Sequence, residues 1–263
     1  MIRFRVSSAG VLLGLVAVVA ARGAETLSVA AAANLTYPLE ALDAEFGKSQ
    51  PAVEVTTAVG ASGSLVAQIR NGAPFDVFLS ADLQFAEALV KTGNADSRSL
   101  TPFAVGRLVF WSVKPGVDVS DIAATVRSPA VRALAIANAD SAPYGRAARQ
   151  ALEKLGLWAD ALPKLVTAEN ISQAAQFVET GNADAGFVAL SSVVSPKLKG
   201  RGRWAEVPAG LYEPLTQVAV ITLHGSKNPQ SALYLAFLRG EAARRILEGF
   251  GYGIPVPAAR DSP

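Results

Sequence analysis

Three times between Thr26 and Leu89 the chain alternates a short apolar run with a stretch of helical spacing, and that order narrows the fold more than any other feature. Thr26-Leu27-Ser28-Val29-Ala30-Ala31, Val53-Glu54-Val55-Thr56-Thr57 and Asp76-Val77-Phe78-Leu79 read as strands, being apolar or β-branched and short. Between and after them, Leu35, Leu39, Leu42 and Phe46, then Leu65 and Ile69, then Phe85 and Leu89 recur at helical intervals. A β-α-β-α-β-α order is the pattern of a doubly wound α/β sheet.

A second series starts at Leu108. The strand Leu108 to Val113 stops at Pro115-Gly116, and a short helix near Ser120 to Val126 follows. Strand Ala133 to Ala137, helix Gly145 to Leu155, strand Leu165 to Thr167, helix Ile171 to Thr180 and strand Ala185 to Ala189 complete the set. After Trp204 to Val207 comes the long strand Thr216 to Ile221, then helices Ser231 to Leu238 and Glu241 to Gly249. The runs 107–113 and 216–222 bracket this second series and are natural crossings between two lobes. At 263 residues the chain has reached the length at which one core usually divides. We therefore expect residues 24–106 plus 217–263 in lobe I and 107–216 in lobe II. Asn34 reads as the N-cap of the first helix, and Asn170 with Gln173 reads as a capping box. The tetrapeptide Thr92-Gly93-Asn94-Ala95 recurs at Thr180-Gly181-Asn182-Ala183, a helix-ending signal in each series.

The first 23 residues read as an export signal: basic Arg3 and Arg5, an apolar run from Ala9 to Ala20, and small residues before Ala24. Without that segment the chain holds 21 basic and 22 acidic residues, so its apparent basicity belongs to the signal. No strongly positive surface is implied, which argues against a nucleic-acid partner. The sequence has no Cys and a single His, His224, so thiol chemistry is excluded and a zinc or copper site is disfavoured. The proline-bearing tail from Pro255 to Pro263 is expected to fray.

In open α/β sheets, ligands bind beyond the carboxyl ends of strands, where helices begin. Four such junctions carry small or amide residues: Ala33-Asn34, Ala61-Ser62, Pro143-Tyr144 and Asn170-Ile171. Around Ser62, Gly60 and Gly63 let backbone approach closely, while Ser62 and Ser64 either cap the helix or lend donors to a ligand. Helix starts carry unpaired N–H groups and the positive end of the macrodipole, so four of them facing one cleft would hold a small deprotonated oxyanion without Lys or Arg. A phosphate site profits from a carboxylate that accepts the remaining proton, whereas a fully deprotonated tetrahedral oxyanion calls for donors alone. Asp82 and Glu169 are the nearest acids; the first reads as a helix cap and the second as a solvated loop residue. Arg146 and Arg149 read as a solvated helix face rather than as partners of the anion, and His224 as an exposed turn residue.

Ala30-Ala31-Ala32-Ala33-Asn34-Leu35-Thr36, Ala61-Ser62-Gly63-Ser64-Leu65, the block from Gly72 to Asp82, Gly156-Leu157-Trp158 and Phe250-Gly251-Tyr252 together resemble the periplasmic molybdate-binding proteins of molybdate ABC transporters. The similarity runs in order over nearly all of the chain after residue 23. It implies an α/β, two-lobed class II periplasmic binding protein fold, each lobe a mixed sheet flanked by helices, joined by two crossing strands. It also implies a monomer in the periplasm that is no enzyme, needs no cofactor, closes on molybdate or tungstate and delivers it to a membrane permease. By position, Ala33, Asn34, Ser62, Tyr144 and Ile171 become ligands of the oxyanion rather than of a bare metal ion. Many relatives carry a tyrosine after a Gly-hydrophobic-Val run, but Gly186-Phe187-Val188 is followed here by Ala189. Either Tyr144 or Asn34 replaces that donor, or affinity falls.

Two other readings compete. A receptor for sulfate or another small anion would share charge and shape with the first. An exported serine hydrolase would need a nucleophile with a base, yet the single His lies in a late loop and Gly60-Ala61-Ser62-Gly63 misses the Gly-x-Ser-x-Gly spacing.

Overall fold

The computed structural model describes residues 25–255, so the expected export signal and all but the first residue of the proline-bearing tail lie outside it. In chain order the first series is β1 (Glu25–Ala32), α1 (Thr36–Ser49), β2 (Val53–Gly60), α2 (Ser62–Arg70), β3 (Val77–Ser80), α3 (Leu83–Lys91) and β4 (Thr101–Gly106). The second runs β5 (Leu108–Ser112), α4 (Ile122–Arg127), β6 (Leu134–Ala137), α5 (Pro143–Lys154), α6 (Trp158–Ala161), β7 (Leu165–Ala168), α7 (Ile171–Glu179), β8 (Ala185–Ala189), α8 (Leu190–Val193) and β9 (Arg203–Glu206). The described chain closes with β10 (Leu215–Ile221), α9 (Pro229–Leu238) and α10 (Glu241–Gly249).

Two five-stranded sheets result, in the orders β2-β1-β3-β10-β4 and β7-β6-β8-β5-β9. Each is mixed: β1 is parallel to β2 and β3 while β10 runs antiparallel to β3 and β4, and β6 is parallel to β7 and β8 while β5 runs antiparallel to β8 and β9. Each sheet with its helices is one lobe. The chain passes between the sheets at Arg107 and returns between Glu206 and Leu215.

The first sheet is covered on both faces. Leu27, Val29 and Ala31 of β1 pack with Phe46, Tyr234 and Leu247 of α1, α9 and α10. On the opposite face, Ala30, Phe78, Val218 and Val220 pack with Leu65, Ile69 and Leu89 of α2 and α3. This explains why these strands are apolar in succession rather than alternating. The second lobe has a single cluster around Phe110, Trp111 and Phe187, and that cluster continues into Ala32, Ala33, Ala61 and Ala81 of the first. Small side chains thus join the lobes where the parallel strands end.

Local signals in the sequence act as expected at several helix ends. Gly93 and Gly181 follow α3 and α7 with φ of 72° and 78°, the left-handed conformation that glycine adopts without strain. After α3 the N–H groups of Gly93 and Asn94 return to the carbonyls of Val90 and Leu89, closing the helix. Asp82 caps α3 through the Phe85 N–H at 2.9 Å. Other boundaries differ. Helix α5 starts at Pro143, two residues before the expected Gly145, because proline at the first helical position has no N–H to leave unpaired.

Candidate functional site

The four junctions singled out in the sequence stand at the ends of neighbouring parallel strands. Ala32 and Gly60, the last residues of β1 and β2, are partners in register, so the turns that follow them lie side by side. Ala137 and Ala168, the last residues of β6 and β7, are paired in the same way in the other sheet. Ala33, Asn34, Ser62, Tyr144 and Ile171 therefore line one cavity, together with Gly60, Ala61, Ala81, Pro143 and Asn170. The cavity is small: its free volume is about 10 Å³, far below the roughly 300 Å³ at which pockets for drug-sized ligands begin. None of its lining residues is charged.

The donors follow from the backbone. Ser62, Tyr144 and Ile171 occupy the first or second position of α2, α5 and α7, and Asn34 lies in the helical turn Ala33–Leu35 that opens α1. N–H groups at such positions lack an intrahelical acceptor. The N–H groups of these four residues find none elsewhere among the described residues either. The Ser62 hydroxyl does not cap its helix; its oxygen accepts the Ala81 N–H at 3.1 Å, which leaves its proton free for a ligand. On α7 the cap is Asn170, whose side-chain oxygen accepts from Ser172 and Gln173 at 3.0 and 3.1 Å. Gln173 reaches back to the Glu169 N–H at 2.6 Å, so the expected reciprocal cap exists with its return arm one residue further out.

Asn34 corrects the expectation placed on it. Helix α1 begins at Thr36, and the Asn34 amide does not cap it. Its Nδ2 donates to Gln217 Oε1 at 2.7 Å and to the Tyr252 hydroxyl at 2.8 Å. The orientation is fixed from outside, because Gln217 Nε2 must face the carbonyls of Ala81 and Leu215 at 3.2 and 2.8 Å. Tyr252 in turn donates to the Asn34 carbonyl at 2.8 Å, as does Ser191. Both amide N–H groups of Asn34 are spent, so the free donor at this residue is its backbone N–H.

The Tyr144 side chain is buried, but its hydroxyl has no hydrogen-bond partner among the described residues. Its buried hydroxyl abuts Gly106, where the chain crosses between lobes, and a Cβ on Gly106 would collide with it. Burial, with Tyr252 and Tyr212 nearby, raises its pKa well above the ordinary tyrosine value. The Asn34 amide is thus committed elsewhere, whereas the Tyr144 hydroxyl is buried without a partner among the described residues; beside it, the unpartnered donors of the lining residues are four backbone N–H groups and the Ser62 hydroxyl.

Arg146 and Arg149 part company. Arg149 lies on the surface against Glu153 and Trp158, as expected. Arg146 is not on a solvated face: it forms an ion pair with Asp82, across the cleft. His224 stands at the surface, with its Nε2 3.8 Å from Asp76. No group of three or more His, Cys, Asp or Glu side chains suited to a metal ion occurs among the described residues. Sequence reasoning missed Gln217 and Ser191 as supports of the site. Gln217 had a readable signal, a single amide inside the apolar strand Leu215–Ile221.

Comparison with known proteins agrees with this arrangement. Residues 27–253 match the family model for bacterial extracellular solute-binding proteins. The molybdate-binding protein ModA of Azotobacter vinelandii is 44% identical over 252 residues, covering 95% of this chain and 99% of its own. That of Rhodobacter capsulatus is 42% identical, covering 85% of this chain and 86% of its own. The solved structure of the Azotobacter vinelandii periplasmic molybdate-binding protein superposes with a TM-score of 0.82 at 37% identity, over 88% of this chain and 100% of that one. Donors converging from two lobes, an uncharged cavity and whole-length similarity lead to one assignment: the chain belongs to the bacterial extracellular solute-binding proteins, in the family of the molybdate-binding proteins.

Proposed function

We propose that this protein captures molybdate, and equally tungstate, outside the cytoplasm and hands it to the membrane permease of an ABC transporter. The observation that carries the reading is the donor set: backbone N–H groups of Asn34, Ser62, Tyr144 and Ile171 and the Ser62 hydroxyl, with no acceptor of their own, around a cavity without a carboxylate. A fully deprotonated tetrahedral oxyanion accepts at every oxygen and satisfies such donors. The charge is offset by the amino ends of α2, α5 and α7 and by N–H dipoles in a desolvated space, as in other helix-start anion sites.

In this reading, lobe I (24–106 and 217–263) contributes Ala33, Asn34 and Ser62, and lobe II (107–216) contributes Tyr144 and Ile171. The two bodies close on the anion by a hinge near Gly106 and Leu215. The protein works as a monomer in the periplasm, after removal of residues 1–23. The names of its relatives favour molybdate over sulfate, whose equal charge leaves size as the discriminator.

Calorimetric titration of residues 24–263 in phosphate-free buffer tests the proposal. Saturable one-to-one binding of molybdate and tungstate, with a far weaker response to sulfate, is the expected result. Silence toward molybdate, or a preference for sulfate, overturns it.

A further inference from the structure

Beside the cavity, the two lobes are tied by a cluster that touches no anion donor directly. Asp82 starts α3 in lobe I; one carboxylate oxygen caps the helix through the Phe85 N–H, and the other pairs with the Arg146 guanidinium of α5 in lobe II. The pair is sheltered, with the carboxylate side chain 8% and the arginine 27% exposed. The guanidinium carbon also lies 5.8 Å from the centroid of the Phe85 ring, so Phe85 and Asp82 of one lobe grip the same cation of the other. Next to it, the Gly63 N–H donates across the cleft to the Ser141 carbonyl at 2.8 Å. A Cβ at Gly63 would stand 2.9 Å from the Phe85 ring and 3.0 Å from that carbonyl, so the close approach requires glycine.

The residues of this cluster are chain neighbours of the cavity. Gly63 follows Ser62, Asp82 follows Ala81, whose N–H holds the Ser62 hydroxyl, and Arg146 lies two residues after Tyr144. Resting on the reading of the site given above, we propose that Asp82 and Arg146 are positioning residues, forming an inter-lobe latch that stabilises the closed arrangement and sets affinity through closure. A latch of this kind binds no ligand. It raises the fraction of protein already closed, and the apparent dissociation constant scales inversely with that fraction whatever anion is bound. Its loss therefore weakens all ligands by one factor, whereas loss of a donor acts through contact with the anion itself.

A double-mutant cycle provides the test. Arg146→Gln removes the cation, and Asp82→Asn removes the charge while keeping a residue able to cap α3. Each single variant is expected to bind molybdate about five- to thirtyfold more weakly, with tungstate weakened by the same factor and the change carried by faster release. The double variant is expected to be no worse than either single one, since each already breaks the pair. If Arg146 instead served the anion by its charge, Arg146→Gln would weaken binding and Asp82→Asn would tighten it; that outcome, additive losses, or unchanged affinity overturns the latch. A second measurement needs no ligand. The sequence has no Cys, so Lys91→Cys on α3 and Glu153→Cys on α5 allow two spin labels at unique sites. Arg146→Gln should lengthen the distance between them in the unliganded protein, and an unchanged distribution refutes the latch. Failure of the unmutated protein to bind molybdate would count against the functional reading alone, because the label distance still reports on the latch.

Discussion

Ser62 shows how one side chain separates a structural role from a binding role. A serine at a helix start most often accepts from its own helix, yet this one accepts from Ala81 of a neighbouring turn and keeps its proton. Ser62→Ala removes one donor to a buried charge, and we expect a loss of about 1.5 to 3 kcal/mol of molybdate binding, with a lower melting temperature because the buried Ala81 N–H loses its acceptor. Calorimetry beside a thermal melt checks both, and undiminished affinity would assign the hydroxyl to Ala81 alone. The positions of the site residues were legible in the sequence because each sits where a strand gives way to a helix. The orientation of their side chains was not. Asn34 offers its amide to Gln217 and Tyr252, 183 and 218 residues away, and local sequence carries no trace of such pairings.

At the scale of elements, the amino ends of α2, α5 and α7 carry most of the proposed donors, so what fixes those ends fixes the candidate site. Helix α7 depends on Asn170, which satisfies two of its first N–H groups and leaves that of Ile171 to the cavity. Asn170→Ala should cost about 1 kcal/mol of stability and weaken molybdate binding as the first turn frays. Denaturant unfolding and calorimetry on the same variant would show both losses; a stability loss without any change in affinity would detach this helix start from the ligand. Strand–helix alternation was legible because the parallel strands are short, apolar and bounded by turns. Strand β4 was not, because Thr101-Pro102-Phe103-Ala104-Val105-Gly106 carries a proline and a terminal glycine. Pairing with β10 and with Gly253 holds it in place, and such long-range partners override weak local preference.

For the molecule as a whole, the tyrosines set an alkaline limit. Burial raises the pKa of Tyr144, Tyr234 and Tyr252 above the ordinary 10.0, Tyr252 despite its bonds to Ser191 and Asn34. Each folded-state value exceeds its unfolded one, so the native state holds protons the unfolded chain releases, and the stability this confers is complete below about pH 10 and lost above it. Melting temperature should thus be level through neutral and mildly alkaline pH and fall beyond about pH 10; a decline beginning near pH 8 would contradict these burials. The cavity itself has no group that titrates in the working range. Its donors are amide N–H groups, which no change of pH, salt or redox poise can switch off. Such a container has no chemical means of unloading. On the proposed reading its cargo leaves when the lobes are drawn apart, so the work of discharge is mechanical, and whatever receives the anion must supply the pull.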